Sequence, residues 1–248
     1  MQSTVVKKVV SDTDKKILLD WFNKKDKYLD VRPDASMKIV KDTDKGVPVN
    51  TLKKILDQTI PGKYLVQGYY FIKANFGWKI HADSDKGQKN LHKVAIIPLE
   101  LNGPSSTMFF ANHWHGPSAK FAKKKIPQFE YVLDINGKEK YIKDLRKFRS
   151  SDKKLMATVK DLIKKRKNID GRQYDYSKIT GITNKPFDKK IHKKYASHIP
   201  YEDFHGLTLE KVIKWNLGDA ICFDRTQLHC GTNTHKEKIY ITVFTNKQ

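Results

Sequence analysis

The sequence predicts a mainly β fold with flanking α-helices, and two features of its 248 residues support that class. From Tyr64 onward, segments rich in β-branched and aromatic residues recur, which is typical of strands. They are YLVQGYYFIK, KVAIIPLEL, TMFFAN, DAICFD and KIYITVFT. Residues 1–62 instead carry apolar side chains at helical spacing. A chain of this length can bury a substantial core, so we expect a single domain over residues 1–248.

Two helices are predicted in residues 1–62, as a support for the sheet. The first begins at SDTD, residues 11–14, because a serine followed three residues later by an acidic residue has the form of a capping box. Its apolar positions are Ile17, Leu18, Trp21 and Phe22. The second runs from Asn50 until Pro61 and Gly62 stop it. Its apolar positions are Leu52, Ile55, Leu56 and Ile60.

A long α/β insertion, residues 113–214, separates the two strand-rich parts of the core, residues 64–112 and 215–246. Within it, FEYVLDINGKEKYI has the form of a β-hairpin that turns at Asn136-Gly137. One apolar stripe predicts a helix further on. The stripe consists of Leu155, Met156, Val159, Leu162 and Ile163. The lysine run KKRK at 164–167 is either the solvated face of that helix or a binding patch.

The chain is strongly basic, with a formal net charge of +22 and a pI near 9.7. Such a charge suggests a polyanionic partner, because lysine and arginine neutralise phosphates. Only six of the 49 basic residues are arginines, the residue best suited to bidentate phosphate and base recognition. The composition therefore leaves two explanations, a functional polyanion surface or lysine enrichment without a function.

Cysteine content and hydropathy indicate the compartment. Nothing at the start resembles a signal peptide, and no segment approaches the roughly 20 apolar residues of a membrane span. We therefore expect a cytoplasmic protein without a membrane partner. Cys222 and Cys230 are too few for a disulfide framework, so both are expected to be reduced.

A possible metal site begins in GWKIHADSDKGQ, residues 77–88, where His81 and Asp83 are two positions apart. Side chains at that spacing on a strand point to one face. A second histidine, His229, lies in GDAICFDRTQLHCGTN. Two histidines and one carboxylate on one face of a metal form the triad of non-haem Fe(II) oxygenases. Each residue also has a non-metal interpretation. Asp83 could be a turn-forming aspartate, with Asp85 as another possible ligand in the same loop, and each histidine could only pack or hydrogen-bond locally.

In their order and spacing these segments resemble the Fe(II)- and 2-oxoglutarate-dependent dioxygenase superfamily, near its prolyl-hydroxylase-like and phytanoyl-CoA-hydroxylase-like branches. The resemblance covers about residues 64–112 and 215–246. It implies a double-stranded β-helix, a cupin-like jelly-roll barrel, whose mouth the insertion partly covers. It also implies Fe(II), 2-oxoglutarate and O2 as cofactor and cosubstrates, and hydroxylation as the usual outcome. The positions that match the family pattern are His81, Asp83, Gly103, Gly218, Asp219, His229, Asn233 and Lys238.

The resemblance assigns the metal to His81, Asp83 and His229, and the far carboxylate of 2-oxoglutarate to Lys238. The family usually has an arginine at that position, and a serine where this chain has Tyr240. Lysine supplies charge without the bidentate fork, so a hydroxyl should assist it. The candidates for that assistance and for cosubstrate binding are Tyr240, Tyr70, Tyr69 and Asn233, with Lys236 as a substitute lysine.

The position of Lys238 can also be argued from its strand. Apolar Ile239, Ile241 and Val243 alternate to one face, which places Lys238 on the other, inside the barrel. Burying the ammonium there would be costly without an anion. The alternative is an exposed lysine on an edge strand, where lysine is common.

The segment ANHWHGP, residues 111–117, follows a strand and contributes His113, Trp114 and His115. It is interpreted as a substrate pocket or lid, a packed loop, or a second metal site. Trp78 and Arg225 are weaker pocket candidates. Arg225 could hold an acidic group, but the interpretation we favour for it is an ordinary salt bridge.

The substrate class stays open at this stage. The charge favours a small-molecule or anionic substrate, with a nucleotide or nucleic acid among the alternatives. Two other classes of function remain: a metal-binding jelly roll that does not use 2-oxoglutarate, and a nucleic-acid-binding protein. The sequence does not determine the oligomeric state.

Overall fold

The computed structural model of the protein describes residues 3–24, 30–32, 35–41, 46–84, 90–115, 131–135, 138–142, 149–151, 153, 156, 157, 159, 160 and 179–248. The chain forms two compact units. The larger comprises Met1–Phe121 and Asp175–Gln248, and the smaller comprises Ala122–Tyr174.

The described part of the larger unit is mainly β-structure with short helices. Its helices are α1 (Asp12–Asn23), α2 (Val49–Thr59), α3 (Lys189–Tyr195) and a 3-10 turn (Tyr201–Phe204). Its first strands are β1 (Thr4–Val6), β2 (Asp30–Arg32), β3 (Ala35–Lys41), β4 (Tyr64–Ala74), β5 (Leu91–Leu101) and β6 (Ser106–Trp114). The remaining strands are β9 (Ile179–Thr180), β10 (Leu209–Lys214), β11 (Ala220–Asp224), β12 (Gln227–Gly231) and β13 (Lys238–Lys247). No helix among these residues is long and apolar enough to cross a membrane.

Two antiparallel sheets contain these strands. The larger has seven strands in the order β1-β11-β5-β13-β4-β3-β2. The smaller has the order β10-β6-β12, with β9 paired to β6. β13 is an interior strand, hydrogen-bonded to β4 on one side and β5 on the other. The predicted strand-rich core is therefore confirmed, and its last strand lies in the middle of the larger sheet.

One face of the larger sheet packs on α1 and α2, as the helical pattern predicts. Ser11 caps α1, and the reciprocal capping box with Asp14 is present. Leu18 and Ile55 are fully buried in the cluster that the helices share with the sheet. The sheet contributes Phe71, Ala95, Ile97, Leu99, Ile239, Ile241 and Val243 to it. The strand alternation predicted for β13 is thus confirmed.

The opposite face of the larger sheet packs against the smaller sheet. This second cluster joins Tyr240 of β13 and Phe223 of β11 to Phe109 of β6 and Ile213 of β10. The candidate site lies beside this interior cluster, because the His229 ring packs against Phe109 and Phe223.

Several strands lie where the sequence did not predict them. β1, β2 and β3 belong to the segment expected to be mainly helical, and β10 lies inside the predicted insertion. β2 pairs with the adjacent β3. β1 and β10 are short, and each is held by a partner far along the chain, β11 and β6 respectively. Pairing of this kind comes from tertiary contact rather than from a local pattern.

The smaller unit contains the predicted hairpin. β7 (Tyr131–Ile135) and β8 (Lys138–Ile142) are antiparallel, with Ile135 opposite Lys138. That register confirms the predicted pairing, while Asn136 and Gly137 lie outside the described residues. Residues 153, 156, 157, 159 and 160 are helical. Leu155, Leu162, Ile163 and the lysine run at 164–167 also lie outside the described residues.

Candidate metal centre

Three side chains with metal-ligating atoms meet beside β12, whose middle residue is His229. The ligand atoms of His81, Asp83 and His229 all lie within 4.8 Å of one another. Nε2 of His81 is 3.8 Å from Oδ1 of Asp83, and Nε2 of His229 is 3.5 Å from Oδ2. Within the described ranges this is the one cluster of three or more such side chains.

Backbone hydrogen bonds bring these residues together from distant parts of the chain. His81 and His229 form an antiparallel bridge in which each backbone N–H donates to the other's carbonyl oxygen at 2.9 Å. The Asp83 N–H then donates to the carbonyl oxygen of Arg225 at 2.9 Å. Ala82 is fully buried between the two ligands. The two halves of the site are thus joined as strands are joined in a sheet.

Both imidazoles are oriented by the same kind of bond. Nδ1 of His81 lies 2.6 Å from the carbonyl oxygen of Lys79, and Nδ1 of His229 lies 3.0 Å from that of Gln227. A carbonyl oxygen only accepts, so each Nδ1 carries the proton and donates it. Each Nε2 therefore keeps its lone pair and is available to a metal, as is usual for histidine ligands.

Burial sets the protonation of the site. It lowers the pKa of His229 well below its ordinary value, with a further contribution from His81, so the imidazole is neutral near pH 7. Burial raises the pKa of Asp83, while His81 and Arg225 oppose that rise. Two imidazoles, each with Nε2 available, and one carboxyl group around one point are a donor set that suits a borderline divalent cation. The residues present therefore fit a metal ion.

Aromatic rings surround the three ligands. The Trp78 ring centre is 6.2 Å from that of His81, and the Phe223 and Phe109 ring centres are 4.6 Å and 5.9 Å from that of His229. Such rings exclude water from one side of the site and strengthen its electrostatic interactions.

Lys238 lies inside the larger unit, and the edge-lysine alternative is wrong. The residue is 2% exposed, on an interior strand of the larger sheet. Its Nζ is 5.0 Å from the ring centre of Trp215 and 6.0 Å from that of Tyr240. Burial lowers the pKa of the ammonium to about 8. Burial of an ammonium is costly, and the two aromatic faces offset only part of that cost.

Tyr240 shares that interior with Lys238. Its Oη accepts a hydrogen bond from Nε1 of Trp78 at 2.6 Å. Burial raises its pKa, so the phenol stays protonated and its own O–H can donate. Tyr70 also packs against the interior cluster, whereas Tyr69 packs on the helical side. Of the two upstream tyrosines, Tyr70 is the one on the face of Lys238.

Two other cosubstrate candidates lie elsewhere. Asn233 is exposed, its N–H donates to the carbonyl oxygen of Tyr195, and its amide donates to Oγ of Ser197. Lys236 is exposed, and its side chain lies against Gly103. The structure does not bring either residue to the buried face that Lys238 and Tyr240 share.

The predicted pocket residues around ANHWHGP take different positions. His113 is half-buried, and its Nδ1 is bonded to Oγ1 of Thr226 at 2.9 Å. Trp114 is buried in the smaller sheet, and its N–H donates to the carbonyl oxygen of Thr226. His115 is exposed. Trp78 adjoins the triad, and Arg225, 2% exposed, donates from Nε to the carbonyl oxygen of Asp83.

Two residues near the site were missed by sequence reasoning. Trp215 directly precedes the NLGD turn, and its ring lies under Nζ of Lys238. The indole N–H of Trp215 donates to Oγ1 of Thr107 at 2.9 Å, which fixes the ring. His198 lies against Gly77, and its buried ring nitrogens have no hydrogen-bond partner among the described residues. Burial lowers the pKa of His198 to about 4, with a contribution from Lys238. An isolated histidine in an insertion carries no signal that sequence reasoning could use.

Comparison with known proteins gives a likeness of fold alone. No family model and no curated protein sequence matches the chain. The non-heme alpha ketoglutarate dependent carbocyclase SnoK from nogalamycin biosynthesis matches with a TM-score of 0.50 and 9% identity, over 99% of this chain and 79% of SnoK. The epimerase SnoN, solved with Fe3+, alpha ketoglutarate and nogalamycin RO, matches with a TM-score of 0.47 and 8% identity, over 99% of this chain and 78% of SnoN. A prolyl-4-hydroxylase from Pseudomonas putida matches with a TM-score of 0.42 and 8% identity, over 99% of this chain and 92% of the hydroxylase chain.

The SnoK likeness, at 9% identity, establishes a shared fold and nothing finer. The chain therefore shares the fold of SnoK, a non-heme alpha ketoglutarate dependent carbocyclase. It carries a cluster of two histidines and one aspartate at the interior of that fold.

Proposed function

We propose that the protein is an Fe(II)- and 2-oxoglutarate-dependent oxygenase, and that His81, Asp83 and His229 hold the metal. The observation that carries the proposal is that this cluster and the buried Lys238 are linked through two residues of the same interior. Trp78 packs beside His81 and bonds to Tyr240, and the Tyr240 ring centre lies 6.0 Å from Nζ of Lys238. A buried ammonium destabilises a fold unless an anion accompanies it. Metal ligands together with an anion-binding group are what a chelating 2-oxo acid requires.

The proposed fold is the double-stranded β-helix. The seven-stranded and four-stranded antiparallel sheets face one another across the cluster of Tyr240, Phe223, Phe109 and Ile213. Two sheets that share one apolar interior support a jelly-roll arrangement. His229 lies in the middle of β12, and its ring packs against Phe109 and Phe223 of this interior, a concave position where such folds bind small molecules.

The chain's own residues bind and orient the reactants. The two Nε2 atoms and the Asp83 carboxylate would occupy one side of the metal and leave the other side to ligands. Lys238 would pair with the far carboxylate of 2-oxoglutarate, with the Tyr240 hydroxyl as a second donor. Trp78 would fix that hydroxyl through the bond from its indole. Bound together, the iron, 2-oxoglutarate and O2 would supply oxidation coupled to decarboxylation of 2-oxoglutarate to succinate and CO2.

Hydroxylation of a small-molecule or anionic substrate is the outcome we propose. The charge of +22 supports an anionic group in that substrate. A nucleotide is one such substrate, and nucleic acid is another that the same charge would attract.

The experiment that tests the proposed function uses the apo protein with Fe(II) and 2-oxoglutarate under anaerobic conditions. A visible metal-to-ligand charge-transfer band is expected, followed by succinate formation when O2 is admitted. His81→Ala should lose both signals. Lys238→Met should still bind the metal, but the charge-transfer band should develop only at a far higher 2-oxoglutarate concentration. A folded wild-type protein that binds Fe(II) without developing the band would instead indicate a metal protein that does not use 2-oxoglutarate.

A further inference from the structure

Arg225 bonds to both polar backbone groups of Asp83. Its Nε donates to the Asp83 carbonyl oxygen at 2.9 Å, and its own carbonyl oxygen accepts the Asp83 N–H at 2.9 Å. We propose that Arg225 is a positioning residue that fixes the metal-ligating carboxylate. This inference rests on the metal site of the proposed function and adds to it a residue that does not itself touch the metal.

The guanidinium is held from its other side by two central strands. Its Nη1 donates to Oδ1 of Asn246 on β13 at 3.0 Å and to Oε1 of Gln67 on β4. Its central carbon lies 5.3 Å from the ring centre of Phe244, which also belongs to β13. Arg225 therefore connects the segment that carries Asp83 to strands in the middle of the larger sheet.

Asp83 needs such a connection because the bridge between the two histidines ends before it. His81 is fixed by two reciprocal bonds to His229, whereas Asp83 lies two residues further along. A metal ligand must be held within about 0.5 Å of its productive position by surrounding groups. Arg225 supplies that restraint at the Asp83 backbone and leaves both carboxylate oxygens facing the imidazoles.

Arginine suits this task better than lysine. Its planar fork offers donors at fixed angles, so Nε can bond to Asp83 while Nη1 bonds to Asn246 and Gln67. A lysine ammonium is a single point on a flexible chain, and it cannot occupy both positions. Arg225→Lys therefore keeps the charge and removes the simultaneous contacts.

Co(II) titration of the apo protein tests this role without turnover. Arg225→Lys and Arg225→Met should each weaken Co(II) binding by about 10- to 100-fold, the range typical of residues that orient metal ligands. The absorption spectrum of the bound Co(II) should change as well, because the carboxylate loses its fixed position. Calorimetry and visible absorption measure the two effects.

The matched control is Lys93→Met. Lys93 is also buried, and its Nζ bonds to Asp224, the neighbour of Arg225, at 2.5 Å. This change removes a buried cation from β5, opposite the last residue of β11, so it should lower stability while Co(II) affinity stays within about threefold of wild type. Weakening by Lys93→Met equal to that by Arg225→Lys would reduce the role of Arg225 to general stability and overturn the inference.

The remaining outcomes separate the inference from the proposed function. Unchanged Co(II) affinity and spectrum in both Arg225 variants would overturn the inference alone. A folded wild-type protein without Co(II) binding would overturn the proposed function and this inference with it. If the variants do not fold, NMR of the wild-type apo protein decides the question. A coupling across the hydrogen bond from Nε–H of Arg225 to the Asp83 carbonyl carbon supports the role, and its absence refutes it.

Discussion

His81 and His229 bond to each other through both backbone groups, at 2.9 Å in each direction, and their ring centres are 4.2 Å apart. Residues separated by most of the strand-rich core thus become neighbours through two ordinary sheet hydrogen bonds. Because the bridge is made by the backbone, the two imidazoles are brought together by the strand pairing itself. The site is built by the fold, and the chemistry of its donors then determines which ion it suits.

The first prediction concerns the three ligands. Asp83→Asn keeps the shape of the side chain and removes its charge, so Co(II) or Fe(II) affinity should fall by more than about 100-fold. This exceeds the loss typical of residues that only orient the metal ligands. His229→Ala should do the same. Calorimetric titration measures the affinity, and His113→Ala is the matched control. An equal loss in His113→Ala would place the metal near residues 111–117 instead.

The second prediction is a pH dependence of 2-oxoglutarate binding. Burial lowers the pKa of Lys238 to about 8, so the side chain is fully protonated well below pH 8 and the protonated fraction falls above that pH. With Mn(II) present, 2-oxoglutarate affinity should be constant below that value and fall by up to about tenfold per pH unit above it. Lys238→Arg should bind without this decline, because a guanidinium stays charged. A decline of the same size in Lys238→Arg would assign the titration to another group.

The third prediction concerns stability without ligand. The pKa of Lys238 falls from 10.5 to about 8 on burial, so the charged lysine destabilises the fold at every pH below about 8. That cost disappears as the pH rises from about 8 to 10.5. Lys238→Met should therefore stabilise the apo protein by about 1–3 kcal/mol near neutrality. Denaturant unfolding checks this, and a gain that persists unchanged above pH 10.5 would contradict the electrostatic cause.

The fourth prediction concerns the hydroxyl beside Lys238. Tyr240→Phe removes the acceptor of the Trp78 indole bond and leaves that N–H without its present partner. We expect a loss of about 1–3 kcal/mol in unfolding free energy and roughly tenfold weaker 2-oxoglutarate binding. Denaturation and calorimetry measure the two effects. Tyr69→Phe is the control, since Tyr69 packs on the helical side of the sheet and should leave the binding unaffected.

The fifth prediction tests the close approach of two segments near the site. A Cβ on Gly77 would overlap the carbonyl oxygen of Thr232 and lie 2.9 Å from that of Gly231. Gly77→Ala should therefore destabilise the fold by about 1–3 kcal/mol and displace Trp78. In Gly103→Ala, the new methyl group would meet only the flexible side chain of Lys236, so little change is expected. Unfolding curves and tryptophan fluorescence distinguish the two variants.

The sequence correctly predicts those helices and strands that are determined by residues close together in the chain. The capping box of Ser11 and Asp14 sets the start of α1, and the alternation of Ile239, Ile241 and Val243 sets the faces of β13. The short strands β1 and β10 were not predictable in this way, because their partners β11 and β6 lie far away in the chain. Short segments gain most of their strand character from such partners.

The same division holds for the candidate site. The spacing of His81 and Asp83, together with the later His229, indicates a candidate metal site, and the resemblance of the surrounding segments to a known family makes it a predicted triad. Only the tertiary structure distinguishes Tyr70 from Tyr69, places Lys238 over Trp215, and gives Arg225 its contact with Asp83. These contacts join residues through space, and a guanidinium that bonds to a backbone carbonyl leaves no pattern along the chain.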